Sequence, residues 1–193
     1  AADEPVGRAV NAAVDEITAR TLPRSHAYHE LFLDGELACD SREECEPLYG
    51  ASYLPRKFKI ATADGGDNCV DVFTNDVGLV AFVEGERVVG FDLLVGGGQG
   101  MTHNKPETFP RLAEPLAFVD PAEAVAVVET IVAVQRDHGD RQDRRHARLK
   151  YLIHDRGLHG LRMNISRTAF YGGLTRGARV IGQDSRAAME EAL

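Results

Sequence analysis

The stretch from Arg56 to Val95 constrains the fold more than any other part of the chain. Lys57–Ala63, Val70–Thr74, Leu79–Val83 and Arg87–Val95 read as short strands rich in apolar and β-branched residues. They are separated by Asp64-Gly65-Gly66-Asp67-Asn68, by Asn75-Asp76 and by Glu84-Gly85-Glu86, all turn formers. Links this short close antiparallel pairs and cannot carry a parallel crossover, so an antiparallel meander is predicted.

Helical patterns flank this meander. Residues 5–20 start with Pro5 in the first turn, and Val6, Val10, Ala13, Val14 and Ile17 fall on one helical face. Thr21-Leu22-Pro23 ends that helix, because proline forces its predecessor out of the helical region. Residues 26–33 read as a strand closed by the turn Asp34-Gly35, and Cys39–Gly50 as an acidic loop. After the last meander strand comes a glycine loop, Gly96-Gly97-Gly98-Gln99-Gly100, then a polar stretch from Met101 to Pro115. Asp120-Pro121-Ala122-Glu123 is a helix start with an acidic cap, Pro at the first position and Glu at the third. A second helix is expected from Asp140 to Arg156, stopped by Gly157. Beyond Gly160 the signal weakens; 171–183 is rich in Gly and Arg, and 184–193 suits a short terminal helix.

Composition narrows the function. A chain of 193 residues with 44% hydrophobic and 27% charged residues can fill the core of one compact domain, with or without an appendage. The net charge of −8 argues against a generally basic nucleic-acid binder, because neutralising phosphates needs a positive surface. No apolar run approaches the roughly 18 residues of a membrane-spanning helix, and no signal-peptide pattern opens the chain. Three cysteines do not suit a secreted disulfide scaffold and fit a reducing cytoplasm.

Within this acidic chain, cations concentrate. In a strand, Lys57 and Lys59 point to one face and Arg56 and Phe58 to the other, so two ammonium groups converge as an anion site and a proton source. The plainer alternative is a solvated edge strand guarded by lysine. Arg141, Arg145 and Arg148 recur at helical spacing, with Arg144 and Lys150 beside them; they suit carboxylate binding, or a solvated face paired with Asp137, Asp140 and Asp143. The glycine loop lacks both the P-loop and the dinucleotide spacing, and is either a close-approach surface for an anion or flat cofactor, or a flexible turn. Cys39, Cys45 and Cys69 contain no C-x-x-C pair, and the histidines have no metal-site spacing; unliganded thiols are the simpler reading.

Taken in order, these segments resemble a known family. Tyr53-Leu54-Pro55-Arg56-Lys57-Phe58-Lys59 is similar to the lead motif of the siroheme and 4Fe–4S sulfite and nitrite reductases. The likeness continues through Phe73-Thr74-Asn75-Asp76-Val77-Gly78-Leu79-Val80, Leu94-Val95-Gly96-Gly97-Gly98, Thr102 to Arg111, Gln135-Arg136-Asp137, and Asp143-Arg144 to Lys150-Tyr151. Upstream, Ala27-Tyr28-His29-Glu30 and Leu33-Asp34-Gly35-Glu36 also fit, so the resemblance spans roughly residues 20–160.

The resemblance implies an α+β fold: a largely antiparallel sheet with helices packed on one side, as in the nitrite/sulfite reductase 4Fe–4S domain. It implies the larger module of the first of two pseudo-equivalent halves. The chain then divides into an N-terminal helix and linker (1–24), the siroheme-binding module (25–160), and a diverged or truncated tail (161–193). It assigns Lys57 and Lys59 as catalytic residues facing sulfite or nitrite at the siroheme iron. Arg56 and Arg148 would grip siroheme carboxylates, with Gly97 and Gly98 letting backbone approach the cofactor. The cofactors of the complete enzyme would be siroheme and a 4Fe–4S cluster, and its electron donor a ferredoxin or flavoprotein. The family's cluster thiolates follow C-x5-C … C-x3-C; Cys39 and Cys45 match the first spacing but precede the lysine motif, so no metal ligand is assigned in this chain. The reading is a segment of an assimilatory sulfite or nitrite reductase, inactive alone, with neither nucleic acid nor membrane as partner. The alternative is a non-catalytic module that binds an anion or tetrapyrrole, or serves assembly.

Overall fold

A computed structural model describes residues 4–25, 30–40, 46–158 and 179–180. The predicted strand start at 26–29, Cys45 and the terminal helix at 184–193 lie outside the described residues, as does the side chain of Cys39.

The first helix, α1 (Pro5–Thr21), forms where the 3.6-residue pattern places it. Val10 and Ile17 are buried and Val6 and Ala13 partly so, whereas Val14, expected on the same face, is exposed. The Leu22 amide donates to the Thr18 carbonyl, and Leu22 is extended ahead of Pro23. Next, β1 (Glu30–Leu33) and β2 (Glu36–Asp40) form an antiparallel hairpin, so a strand occupies the start of the expected acidic loop. Asp34 and Gly35 both have positive φ, 52° and 85°, as a two-residue hairpin turn requires.

The main sheet has the order β3 (Ile60–Asp64), β4 (Val77–Glu84), β5 (Arg87–Val95), β6 (Glu114–Val119), β7 (Arg179–Val180). Four strands pair antiparallel in sequence, but β3 pairs with β4 in parallel, which corrects the uninterrupted meander. The cause lies in residues 65–76. Val70–Thr74 is no strand: Val72–Thr74 forms a single 3-10 turn. The Asn68 side chain accepts from the Val72 amide, Asp67 from the Cys69 amide, and Asp71 is left-handed at φ 50°. These local bonds compete with a ladder. They turn the stretch into a connection of about a dozen residues, long enough for a parallel return.

The helix α2 (Ala124–His138) follows the start signal a few residues on. Asp120 Oδ1 accepts from the Ala122 amide, and its carbonyl from the Glu123 and Ala124 amides, so Asp120 caps a lead-in turn rather than the first regular turn. The second expected helix is much shorter, residues 149–158 (α3). Asp140 accepts from the amides of Gln142 and Asp143, and Asp143 from that of Arg145, so 140–148 is held in successive side-chain turns. The arginine stripe therefore does not lie on a helix.

The core explains the layering. Val10 and Ile17 of α1, Val128, Ile131 and Val132 of α2, and Leu149 and Ile153 of α3 share one cluster with Leu79, Phe91, Leu93 and Leu116 of the sheet. The helices thus cover one face, as the resemblance implies. A small cluster on the opposite face joins Ala63, Val72, Leu94 and Ala113. Among the described residues no helix is long and apolar enough to cross a membrane.

A candidate anion-binding cleft

The site is built where β4 begins and β5 ends, beside the approach to β3. Lys57-Phe58-Lys59 lies in irregular chain just before β3, not in the strand itself. The expected alternation survives: Lys57 and Lys59 are exposed, while Phe58 packs partly against the core. The segment is anchored at both ends. The Lys59 carbonyl accepts from the Val77 amide at 3.1 Å. Upstream, Arg141 donates to the carbonyls of Ser52 and Tyr53, holding the bend at Tyr53, whose φ is 52°.

Asp76 occupies the centre of this junction and is fully buried. Its Oδ2 accepts from the Lys59 amide at 2.9 Å and from Arg148 Nη2 at 2.7 Å, and its Oδ1 from Arg148 Nε at 3.2 Å. Its carbonyl accepts from the Gly96 amide. Burial raises the Asp76 pKa, and the bidentate guanidinium and the Lys59 amide oppose that rise.

The glycine loop packs on the same junction. The Gly97 amide donates to the Asn75 carbonyl, and a Cβ on Gly97 would lie 2.2 Å from the Phe73 carbonyl oxygen. A Cβ on Gly98 would lie 2.7 Å from Arg148 Nη1. Gly97 and Gly98 are buried against the protein's own groups; Gln99 and Gly100 are the loop residues that face the cleft. Lys150 closes the wall from behind. It is 1% exposed, and its Nζ donates to the carbonyls of Gly98 at 3.1 Å, Gly100 at 2.6 Å and Phe109. Burial, with Arg148 nearby, lowers its pKa.

Together these segments enclose an open cleft of about 710 Å³ lined by Arg56, Lys57, Lys59, Arg144, Arg145 and Arg148, with Thr74 and Tyr151. The motif lysines and the basic segment, remote in sequence, therefore meet. Among the described residues, Arg56, Lys57, Lys59, Arg144 and Arg145 form no ion pair. Among the described residues, the one acidic side chain on the wall, Asp143, turns an oxygen to the Arg145 amide. The result is a patch of uncompensated positive charge in an acidic protein, which concentrates anions by its field. Arg141, expected in the stripe, points away to Ser52. Sequence reasoning missed Asp76, which looked like a turn residue, and the buried station of Lys150. Lys150 stands beside the basic segment in the sequence, but nothing around Asp76 marks it, because both of its partners are remote in the chain. Cys69 is exposed, and no group of three or more His, Cys, Asp or Glu side chains among the described residues could hold a metal ion.

The description "nitrite and sulphite reductase 4Fe-4S domain" matches residues 14–170. The chain belongs to that family. It is 49% identical over 153 residues to the NADPH sulfite reductase hemoprotein beta-component of Lysinibacillus sphaericus, covering 79% of this chain and 27% of the relative. It is 51% identical over 154 residues to the ferredoxin sulfite reductase of Synechococcus elongatus, covering 70% and 25%. The solved structure of the Mycobacterium tuberculosis NirA protein aligns with a TM-score of 0.58 at 29% identity, over 89% of this chain and 25% of that one. The chain spans about a quarter of the length of these relatives. The family matches the expectation drawn from the Tyr53–Lys59 motif and the segments after it, and the mixed sheet with helices on one face agrees with the expected α+β class.

Proposed function

We propose that this chain is the siroheme-facing α+β module of a sulfite or nitrite reductase, acting on the anion as part of a longer protein. The observation that carries the reading is the meeting of Lys57, Lys59, Arg56, Arg144 and Arg145 in one cleft without carboxylate partners. A tetrapyrrole bearing eight carboxylates needs such a surface, and a small oxyanion needs the paired ammonium groups. The residues present fit siroheme in charge and in the open form of the cleft. They do not supply a 4Fe–4S ligand set among the described residues, so no step is assigned to a cluster.

In this reading siroheme, when bound, supplies the iron at which sulfite is reduced by six electrons to sulfide, or nitrite to ammonia. Lys57 and Lys59 hold the anion, stabilise negative charge as its oxygens leave, and deliver protons to them. Arg56 binds a siroheme carboxylate, helped by Arg148, whose Nη1 makes no hydrogen bond among the described residues. Gly97 and Gly98 keep the loop thin enough for its Gln99–Gly100 edge to reach the cofactor. Electrons come from a ferredoxin or a flavoprotein, as the resemblance implies; of the two relatives, one is named for ferredoxin and the other for NADPH.

Titrating the 193-residue chain with siroheme tests the reading. Saturable binding with a shifted Soret band is expected, and sulfite should perturb that band without catalytic turnover. The double change Lys57→Met, Lys59→Met should weaken sulfite binding at least tenfold while leaving thermal unfolding within a few degrees. Each charge-assisted contact contributes about 1.5–3 kcal/mol, and both lysines are exposed, so folding does not depend on them. Equal sulfite affinity in the double variant would remove the lysines from the site.

A further inference from the structure

We propose that Asp76 is a positioning residue for the anion site, setting the distance between the Lys57–Lys59 segment and the basic segment that ends at Arg148. The inference rests on the function proposed above and adds to it a residue that touches neither anion nor cofactor.

Three observations lead to it. First, one carboxylate bridges two segments far apart in the chain, the Lys59 amide 17 positions upstream and the Arg148 guanidinium 72 positions downstream. Second, both contacts share Oδ2, at 2.9 and 2.7 Å, so the Lys59 backbone cannot move relative to the guanidinium without stretching one of them. Lys57 is carried along, because it lies two residues away and lines the same cleft. Third, the pair is buried, with side-chain exposures of 1% for Asp76 and 13% for Arg148. A buried ion pair is seldom a net stabiliser, because desolvation offsets its attraction; its better-attested use is to fix one geometry.

The alternative is that Asp76 only supports the fold. The two roles separate in experiment, because a structural role lowers affinity only by unfolding part of the protein. A positioning role lowers it in the fully folded population. Asp76→Asn retains an oxygen for the Lys59 amide and loses the charge and one guanidinium bond. Asp76→Glu retains the charge and displaces it by one methylene.

The test uses the whole 193-residue chain loaded with siroheme, with sulfite affinity read from the Soret band, and the Lys59 amide followed by 1H–15N spectroscopy. Asp76→Asn should weaken sulfite binding about tenfold at a temperature where the protein stays folded, and should shift the Lys59 amide resonance while those of Leu79 and Leu93 stay in place. Arg148→Gln added to Asp76→Asn should weaken binding by less than the two separate losses combined, as expected of residues acting as one unit. Glu129→Gln, which breaks the exposed Arg20 pair on another part of the molecule, should leave affinity unchanged. If Asp76→Asn does not fold, Asp76→Glu takes its place, and it should also lose affinity because the carboxylate is misplaced. Wild-type affinity in a folded Asp76 variant, with the double lysine variant impaired, overturns the positioning role and leaves the proposed function standing. If the wild-type chain binds neither siroheme nor sulfite, the proposed function fails and the positioning role fails with it.

Discussion

Gly97→Ala is expected to destabilise the chain by about 3 kcal/mol or more, at the upper end of what overpacking costs. The added methyl would lie 2.2 Å from the Phe73 carbonyl oxygen, 2.7 Å from that of Asn75 and 3.0 Å from the Asn75 amide nitrogen. All three are backbone atoms, so no rotamer change relieves the contact. Relief requires moving residues 73–75 away from the glycine loop. That movement breaks the Gly97–Asn75 bond, and it strains the bond from the Ala113 amide to the Phe73 carbonyl. It also pulls on Asp76, next to Asn75, and so on Lys59. At this chain length the loss corresponds to a fall of about 6–12 °C in Tm. Gly100→Ala is the control: no atom lies within 4 Å of its added methyl, and it should change stability by no more than about 0.5 kcal/mol. Gly98→Ala should fall between the two, because the obstacle is the Arg148 guanidinium, a side chain that can move. Urea unfolding of the three variants checks the order. Equal stability of Gly97→Ala and Gly100→Ala would show that the loop does not pack on Phe73–Asn75.

That order bears on why the loop is rich in glycine. The sequence left two readings open, a surface for a cofactor or a flexible turn. The packing supports a third: the glycines let two backbone segments and a guanidinium approach one another inside the protein. In the proposed function their contribution to the cofactor is indirect, through the thinness of the wall they form.

Local signals were legible where neighbours in sequence determine the outcome. The proline and apolar spacing of α1, the Asp34-Gly35 turn, the β4–β5 hairpin around Gly85 and the lysine alternation at 57 and 59 all follow from short-range sterics and periodicity. What failed was period assignment in polar stretches. Val70–Thr74 has strand composition, yet Asn68 bonds the Val72 amide and Asp67 that of Cys69 just before it, and the stretch becomes a crossover. Arg141, Arg145 and Arg148 have helical spacing, yet Asp140 and Asp143 capture the amides a helix would need. In both places a side-chain acceptor two to four residues upstream overrode the pattern. β6 went unread because Pro115 and the polar residues before it mask an otherwise apolar strand. The cleft was legible as a set of cations but not as a geometry. The residues that assemble it, Asp76 and Lys150, act through bonds to backbone and side chains remote in sequence, and no spacing reveals those.

Lys150→Met should cost about 1–3 kcal/mol and loosen the wall of the cleft. Methionine matches lysine closely in length, so packing against Phe109 and Tyr151 is largely kept. The change removes a donor that serves the carbonyls of Gly98, Gly100 and Phe109 together. Gly98 also has the Arg111 amide as a donor, so the heaviest loss falls on Gly100 and Phe109. An unsatisfied buried acceptor costs about 1–3 kcal/mol; Phe109 is half-buried and Gly100 faces the open cleft, so water replaces part of the lost donor, and the net loss stays near the cost of one such acceptor. Lys150→Arg should not restore stability, because the planar guanidinium is wider than the space between three converging carbonyls. The effect should reach the ligand as well: with Gly100 released, siroheme affinity should fall even well below the unfolding transition, in contrast to a variant that only weakens the helical layer, such as Ile131→Val. Chemical denaturation paired with siroheme titration separates the two effects. Wild-type stability in Lys150→Met would mean that the desolvation of the ammonium cancels all three of its bonds, and the buried lysine would then owe its place to the shape it gives the cleft alone.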